Sequence, residues 1–200
     1  ARFLDKAAIR AEIARDLYHS GIVDSRGGPL PPLNYALGLA EAARRAGVQI
    51  FEGTPAPKIA EANGKVTVTT PQGKIEADYA VLGCNAYLGG LEPRIAGKIM
   101  PIANFVITTE PMPEAEAHAL IPSGACACDT KFVVSYYRVT ADHRLLFGGG
   151  ERYTTEEPED IAAFVKPYML KVFPQLGSKR IDYGWGGMLA ITMLRLPHLG

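Results

Sequence analysis

Two hundred residues suffice for one sizeable domain or two small ones, and 48% hydrophobic with 21% charged residues is a globular composition, neither disordered nor membrane-spanning. Lys plus Arg and Asp plus Glu both number 21, so no net field draws the chain to nucleic acid or to an anionic bilayer. Cys84, Cys126 and Cys128 are an odd number in a chain without a signal peptide, which favours reduced thiols and a cytoplasmic location.

Taken in order, residues Leu4 to Leu17 read as a helix, with Asp5 as N-cap and Ile9, Ile13 and Leu17 on one face. His19 to Pro32 breaks it with three Gly and three Pro and reads as an exposed or ligand-facing loop. Leu33 to Ala46 is a second helix closed by Gly47, and Val48 to Phe51 follows as a short strand. Helix, Gly and strand in succession are half of a βαβ unit, which implies a parallel sheet. Asn63-Gly64 and Pro71-Gln72-Gly73 mark two hairpin turns, with Val66 and Val68 alternating with Thr67 and Thr69 between them.

The stretch YAVLGCNAYLGGL, Tyr79 to Leu91, holds thirteen uncharged residues between Asp78 and Glu92, fewer than the roughly 20 of a membrane helix. Its Ala80-Val81-Leu82 reads as a strand covered on both faces. The small residues Gly83, Cys84, Asn85 and Ala86 at its end read either as a tight turn or as a place where a backbone approaches a ligand. Beyond Leu91 the pattern becomes antiparallel: strands at Ile99–Thr109, Phe132–Thr140, Arg144–Gly150 and Ile181–Thr192, and helices at Pro113–Leu120 and Pro158–Phe173, the latter kinked or split by Pro167.

Candidate binding residues are aromatic walls and a charged anchor. On a strand Tyr136 and Arg138 share a face while Tyr137 points the other way. Arg138 could grip a carboxylate through a bidentate pair, the alternative being a solvated strand charge. Trp185, the only Trp, stands among glycines and either covers a site or packs in the core. Gly148-Gly149-Gly150 reads as a β-bulge at a strand end, the alternative being a close approach of backbone to a substrate or cofactor. Cys126-Ala127-Cys128 has no second Cys or His pair at ligand spacing and reads as small residues in a strand rather than a metal site. His19, His118, His143 and His198 are scattered, and none has the neighbours of a catalytic triad.

LNYALGLAEAARRAGVQI, GCNAYL, TTEPM, KFVVSYYRVTADHRLLFGGG and WGG followed by RLPHLG come in the order found in the D-amino-acid-oxidase-like superfamily of FAD-dependent amine and amino-acid oxidoreductases, which the chain resembles over nearly all of its length. The superfamily's GxGxxG turn and C-terminal FAD segment are not in this sequence, so it reads as the middle piece of a longer protein. The resemblance implies a mixed α/β fold, with a partial Rossmann-like FAD-binding layer carrying a β-meander and an antiparallel-sheet substrate domain. It divides the chain into residues 1–28 (substrate-side helix and loop), 29–90 (partial FAD domain), 91–185 (substrate domain) and 186–200 (return toward FAD).

It further implies that FAD lies near Thr54 and Ala56 at its adenine end and near Gly83, Cys84, Asn85 and Ala86 at its phosphates or ribose, with Tyr136, Arg138 and Trp185 on the substrate. Amino-acid oxidases of this fold carry an Arg-Pro after the Trp-Gly motif. Here the matching stretch is Met188-Leu189-Ala190, which disfavours a simple α-amino acid. The implied reaction is oxidation of a C–N bond of a small amine, such as a gamma-glutamylated polyamine, by hydride transfer to flavin, with no nucleic-acid or membrane partner and with self-association possible through an uncovered sheet edge. The alternatives are a non-catalytic binding or interaction domain and a sarcosine-oxidase-like flavoenzyme. A glycerol-3-phosphate-dehydrogenase-like enzyme would need a basic cluster that the charge pattern lacks.

Overall fold

The computed structural model describes residues 1–197; the end of the RLPHLG motif, His198 included, lies outside the described residues. In chain order the elements are β1 (Arg2–Leu4), α1 (Lys6–Glu12), β2 (Gly21–Val23), α2 (Pro32–Arg45), β3 (Lys58–Ala62), β4 (Lys65–Thr70), β5 (Gly73–Ala77), α3 (Pro93–Ala96), β6 (Ile99–Thr109), α4 (Glu114–Leu120), β7 (Ala127–Cys128), β8 (Tyr136–Val139), β9 (Leu145–Arg152), α5 (Ile161–Val172) and β10 (Ile181–Thr192). They form two compact units: Ala1–Pro29 with Ile102–Met188, and Leu30–Pro101 with the segment from Leu189 onward.

The first unit holds most of an antiparallel sheet of order β10-β6-β9-β8-β7 and the two-stranded β1-β2 pair. One face of the large sheet is covered by α5, whose Val165, Met169 and Val172 recur at helical spacing and are fully buried. Asp160 caps that helix by accepting the Ala163 N–H, and Pro167 lies inside it without splitting it. Against it pack Phe105, Ile107, Tyr137, Leu145, Phe147 and Phe173, with Tyr137 stacked on Phe147 at 5.7 Å and edge-on to Phe173 at 5.1 Å between ring centroids. The Tyr137 hydroxyl donates to that of Tyr18 at 2.7 Å, and burial pushes both phenols above their ordinary range, so the pair stays protonated.

Charged groups tie the strand ends together. Arg144 donates to the Asp182 carboxylate at 2.6 Å and to the Thr109 carbonyl at 2.9 Å, while Arg180 donates to the other Asp182 oxygen at 2.7 Å. Hydrogen bonds from Arg144 and then Arg180 hold the Asp182 carboxyl below its ordinary value of 3.8. A carboxyl depressed in the folded state contributes stability that is present above the unfolded value and lost as pH falls through the folded one. Asp182→Asn is therefore expected to lower the urea midpoint at pH ~7 and to match the parent more closely at pH ~3; an equal deficit at both would show that the carboxylate charge contributes nothing.

The second unit contains α2 and the β3-β4-β5 meander. Asn63 and Gly64, both at positive φ (54° and 72°), join β3 to β4 as the two-residue turn their sequence predicts. Gly47 ends α2: its N–H reaches the Arg44 carbonyl, and that of Val48 reaches the Ala43 carbonyl.

Several expectations are corrected. The first helix is shorter than predicted: Leu4 belongs to β1, Asp5 is indeed the cap, and the helix ends at Glu12, with Ile13 already extended. Residues 48–51 form no strand, and Ala80 to Leu82 are not a buried strand: Val81 is 95% exposed. A strand exists only where a neighbour accepts its ladder, and no described strand lies beside either segment. No residue of α2 is buried either. Trp185 is 45% exposed, outside the core.

Candidate functional site

The α5-free face of the large sheet gathers the residues predicted to meet substrate, and glycines decide how. Tyr136 on β8 stands opposite Gly148 on β9, and Gly148 stands opposite Val106 on β6. A Cβ at Gly148 would fall 2.0 Å from the Tyr136 ring carbon Cζ, so the ring lies flat on bare backbone. From there its hydroxyl donates to Asn104 Oδ1 at 2.5 Å. Burial, with Glu151 and Cys128 adding to it, pushes the Tyr136 phenol up, so it remains a donor at neutral pH.

Gly184 and Gly186 of β10 lie against Ile107 and Phe105, which places Trp185 between them beside Val106 and on the opposite face from α5. Trp185, Val106, Gly148 and Tyr136 thus form one row across four strands, with Cys128 of β7 at its far end. Three strand spacings separate the two aromatic residues, about 14 Å between backbones. Arg138 follows Tyr136 on the same face, opposite Leu146, and is half-buried.

The predicted bulge is present. Between the Val106–Gly148 and Asn104–Glu151 pairs β9 spends one residue more than β6, and Gly150 takes φ 79° there. The extra residue turns Glu151 onto the face that carries Asn104 and Tyr136. Sequence reasoning missed both Asn104 and Glu151. A lone Asn in the apolar run IANFVITT was a usable signal for the first; the second could not be placed without the bulge.

The predicted cofactor residues all lie in the second unit. Gly83 is exposed with open space where a Cβ would be, and Cys84 and Ala86 are half-buried. Asn85 takes a positive φ of 51° at the start of a single 3-10 turn and accepts the Ala190 N–H at 3.1 Å. Thr54 donates to the Glu52 carbonyl beside the exposed Ala56. Uncovered backbone and small side chains at 83–86 leave the room a dinucleotide requires, so these residues fit such a group. The three cysteines are unbridged. A cavity of about 600 Å³ in the first unit, bordered by Ile13, Tyr18, Cys126, Asp129 and Tyr137, includes none of the predicted site residues. Among the described residues no helix is long and apolar enough to cross a membrane.

Comparison with known proteins supplies the context. The family profile described as FAD dependent oxidoreductase (DAO) matches residues 1–200. The chain is 42% identical over 198 residues to gamma-glutamylputrescine oxidoreductase of Escherichia coli (strain K12), covering 98% of this chain and 46% of that protein. Its fold is similar to that of glycine oxidase from Geobacillus kaustophilus, with a TM-score of 0.80 at 20% identity over 100% of this chain and 53% of that one. It is also similar to L-proline dehydrogenase from P. horikoshii, with a TM-score of 0.72 at 19% identity over 96% and 53%. The chain spans about half the length of the relatives it matches.

Proposed function

The chain belongs to the DAO family of FAD-dependent oxidoreductases, and on that premise we propose that it carries the substrate face of an enzyme oxidising a C–N bond of a small amine such as a gamma-glutamylated polyamine. The observation that supports this best is the row of Trp185, Val106, Gly148 and Tyr136 on the sheet face opposite α5, where the Tyr136 ring covers Gly148 and Trp185 stands beside Val106. Bound FAD supplies the hydride acceptor for such a reaction. The chain's own task is to orient a neutral amine and keep water away, which aromatic walls do without acid-base residues. Arg138, one step along β8 from Tyr136, is suited to a substrate carboxylate. Gly83, Cys84, Asn85, Ala86, Thr54 and Ala56 are the residues that would hold FAD. In this reading residues 1–28 and 91–185 serve the substrate, and 29–90 and 186–200 the cofactor.

The test is an anaerobic titration of the protein as its gene encodes it, purified with FAD, with a gamma-glutamylated diamine and with a set of simple α-amino acids. Loss of the oxidised flavin band with the amine and not with the amino acids is expected, because Met188-Leu189-Ala190 stands where an Arg clamp would be. Reduction by the amino acids alone would replace this reading with an amino-acid oxidase, and no reduction by any of them would remove it.

A further inference from the structure

We propose that the cavity between the β1-β2 pair and the β7 edge of the large sheet is a binding site for a small uncharged molecule with an apolar body and a hydrogen-bond-accepting oxygen, such as an amide. The proposal goes beyond the amine-oxidoreductase reading and does not depend on it.

The two-stranded β1-β2 sheet and the five-stranded sheet share no ladder, and β7 is the last strand of the larger one. The cavity of about 600 Å³ lies between them within the first unit, a size usual for small-molecule pockets. It meets the aromatic row only at Cys128. Tyr137, which borders the cavity, and Tyr136, which belongs to the row, point to opposite faces of β8, so the two are different sites.

The lining selects the ligand. Phe3 and Ile22, paired across β1 and β2, border the cavity with Leu17, and all three are exposed. Hydrocarbon laid over them removes apolar surface from water. At the polar end Tyr137 donates to the Tyr18 hydroxyl at 2.7 Å, and the proton of Tyr18 itself has no acceptor among the described residues. Burial keeps both phenols protonated at neutral pH, so that proton stays available for an oxygen of the ligand.

The charges around the cavity are already matched. The Asp129 side chain, 4% exposed, accepts the N–H groups of Lys131 at 3.2 Å and Ser135 at 2.9 Å and is paired with the Lys131 ammonium at 2.7 Å. Glu12, which also borders the cavity, is paired with Arg2 at 3.0 Å. A charged ligand would lose its hydration and find no counter-charge that is not in use, whereas an uncharged head loses much less.

The test uses the protein as its gene encodes it and three probes of equal carbon length: hexanamide, hexanoate and hexylamine. Cys126 is exposed, borders the cavity and lies outside the aromatic row, so protection of its thiol from iodoacetamide, read by mass spectrometry, reports occupancy without turnover. Hexanamide is expected to protect Cys126 and not Cys84 of the second unit, with each charged probe at least about tenfold weaker. Tyr18→Phe is expected to raise the half-protecting hexanamide concentration about threefold to tenfold. Tyr79→Phe, at an exposed position of the second unit, is expected to leave it unchanged. No protection by hexanamide, equal protection by the three probes, or an unchanged concentration in Tyr18→Phe would overturn the proposal. Flavin reduction by an amine in a protein without this protection would remove the site and leave the oxidation reading standing.

Discussion

Replacing Phe147 by alanine is expected to remove about 3–5 kcal/mol of stability, the largest effect of any single change considered for this chain. Phe147 is fully buried and lies in the middle of β9. It is stacked on Tyr137, which is itself edge-on to Phe173, so truncation leaves a cavity among rings anchored to strands and cannot collapse cheaply. A loss of this size is a large share of the roughly 5–15 kcal/mol that keeps a domain folded. Urea denaturation followed by circular dichroism measures it. Tyr153→Ala, at a 54% exposed position just beyond the same strand, is the comparison and should cost far less. Equal costs for the two would mean that the ring cluster is not the core of the sheet.

The second large effect is expected at Gly148. Valine there places a Cβ where the Tyr136 ring already lies, so the ring must leave the sheet and abandon Asn104. Overpacking costs about 1–3 kcal/mol, and the lost hydrogen bond adds about 1 kcal/mol. Removing the ring as well relieves the overlap, so Gly148→Val and Tyr136→Ala should be strongly non-additive, the double variant being more stable than the sum of the singles implies by at least about 1 kcal/mol. Additive losses would show that the ring does not rest on Gly148. The same cycle read as amine affinity tests the site: Gly148→Val should weaken binding as much as Tyr136→Ala does, because both leave the aromatic row without one wall.

The two outer glycines of the run act differently. Gly148 makes room for an aromatic wall, and Gly150, at positive φ against Phe164 and Tyr168, makes the bulge that brings Glu151 to the same face. A run of three glycines thus carries two separate structural tasks within one strand.

Periodicity and turn chemistry by themselves determined much of this protein. The Asn63-Gly64 hairpin, the Asp5 cap and the Gly47 stop follow from local preferences that need no distant partner, and periodicity with a glycine run marked where β6, β10 and the bulge at Gly148–Gly150 lie, although each forms only against a paired strand. The shared face of Tyr136 and Arg138 follows likewise from strand alternation. Only the tertiary structure decided that Ala80 to Leu82 is exposed and that residues 48–51 form no strand, because an apolar run becomes a buried strand only when another strand meets its hydrogen bonds. It alone decided that Trp185 stands in a row with Tyr136, since strand order is a long-range property. And it alone placed Glu151 beside Asn104: one added residue in β9 reverses the face of everything after it, a register that no local pattern encodes.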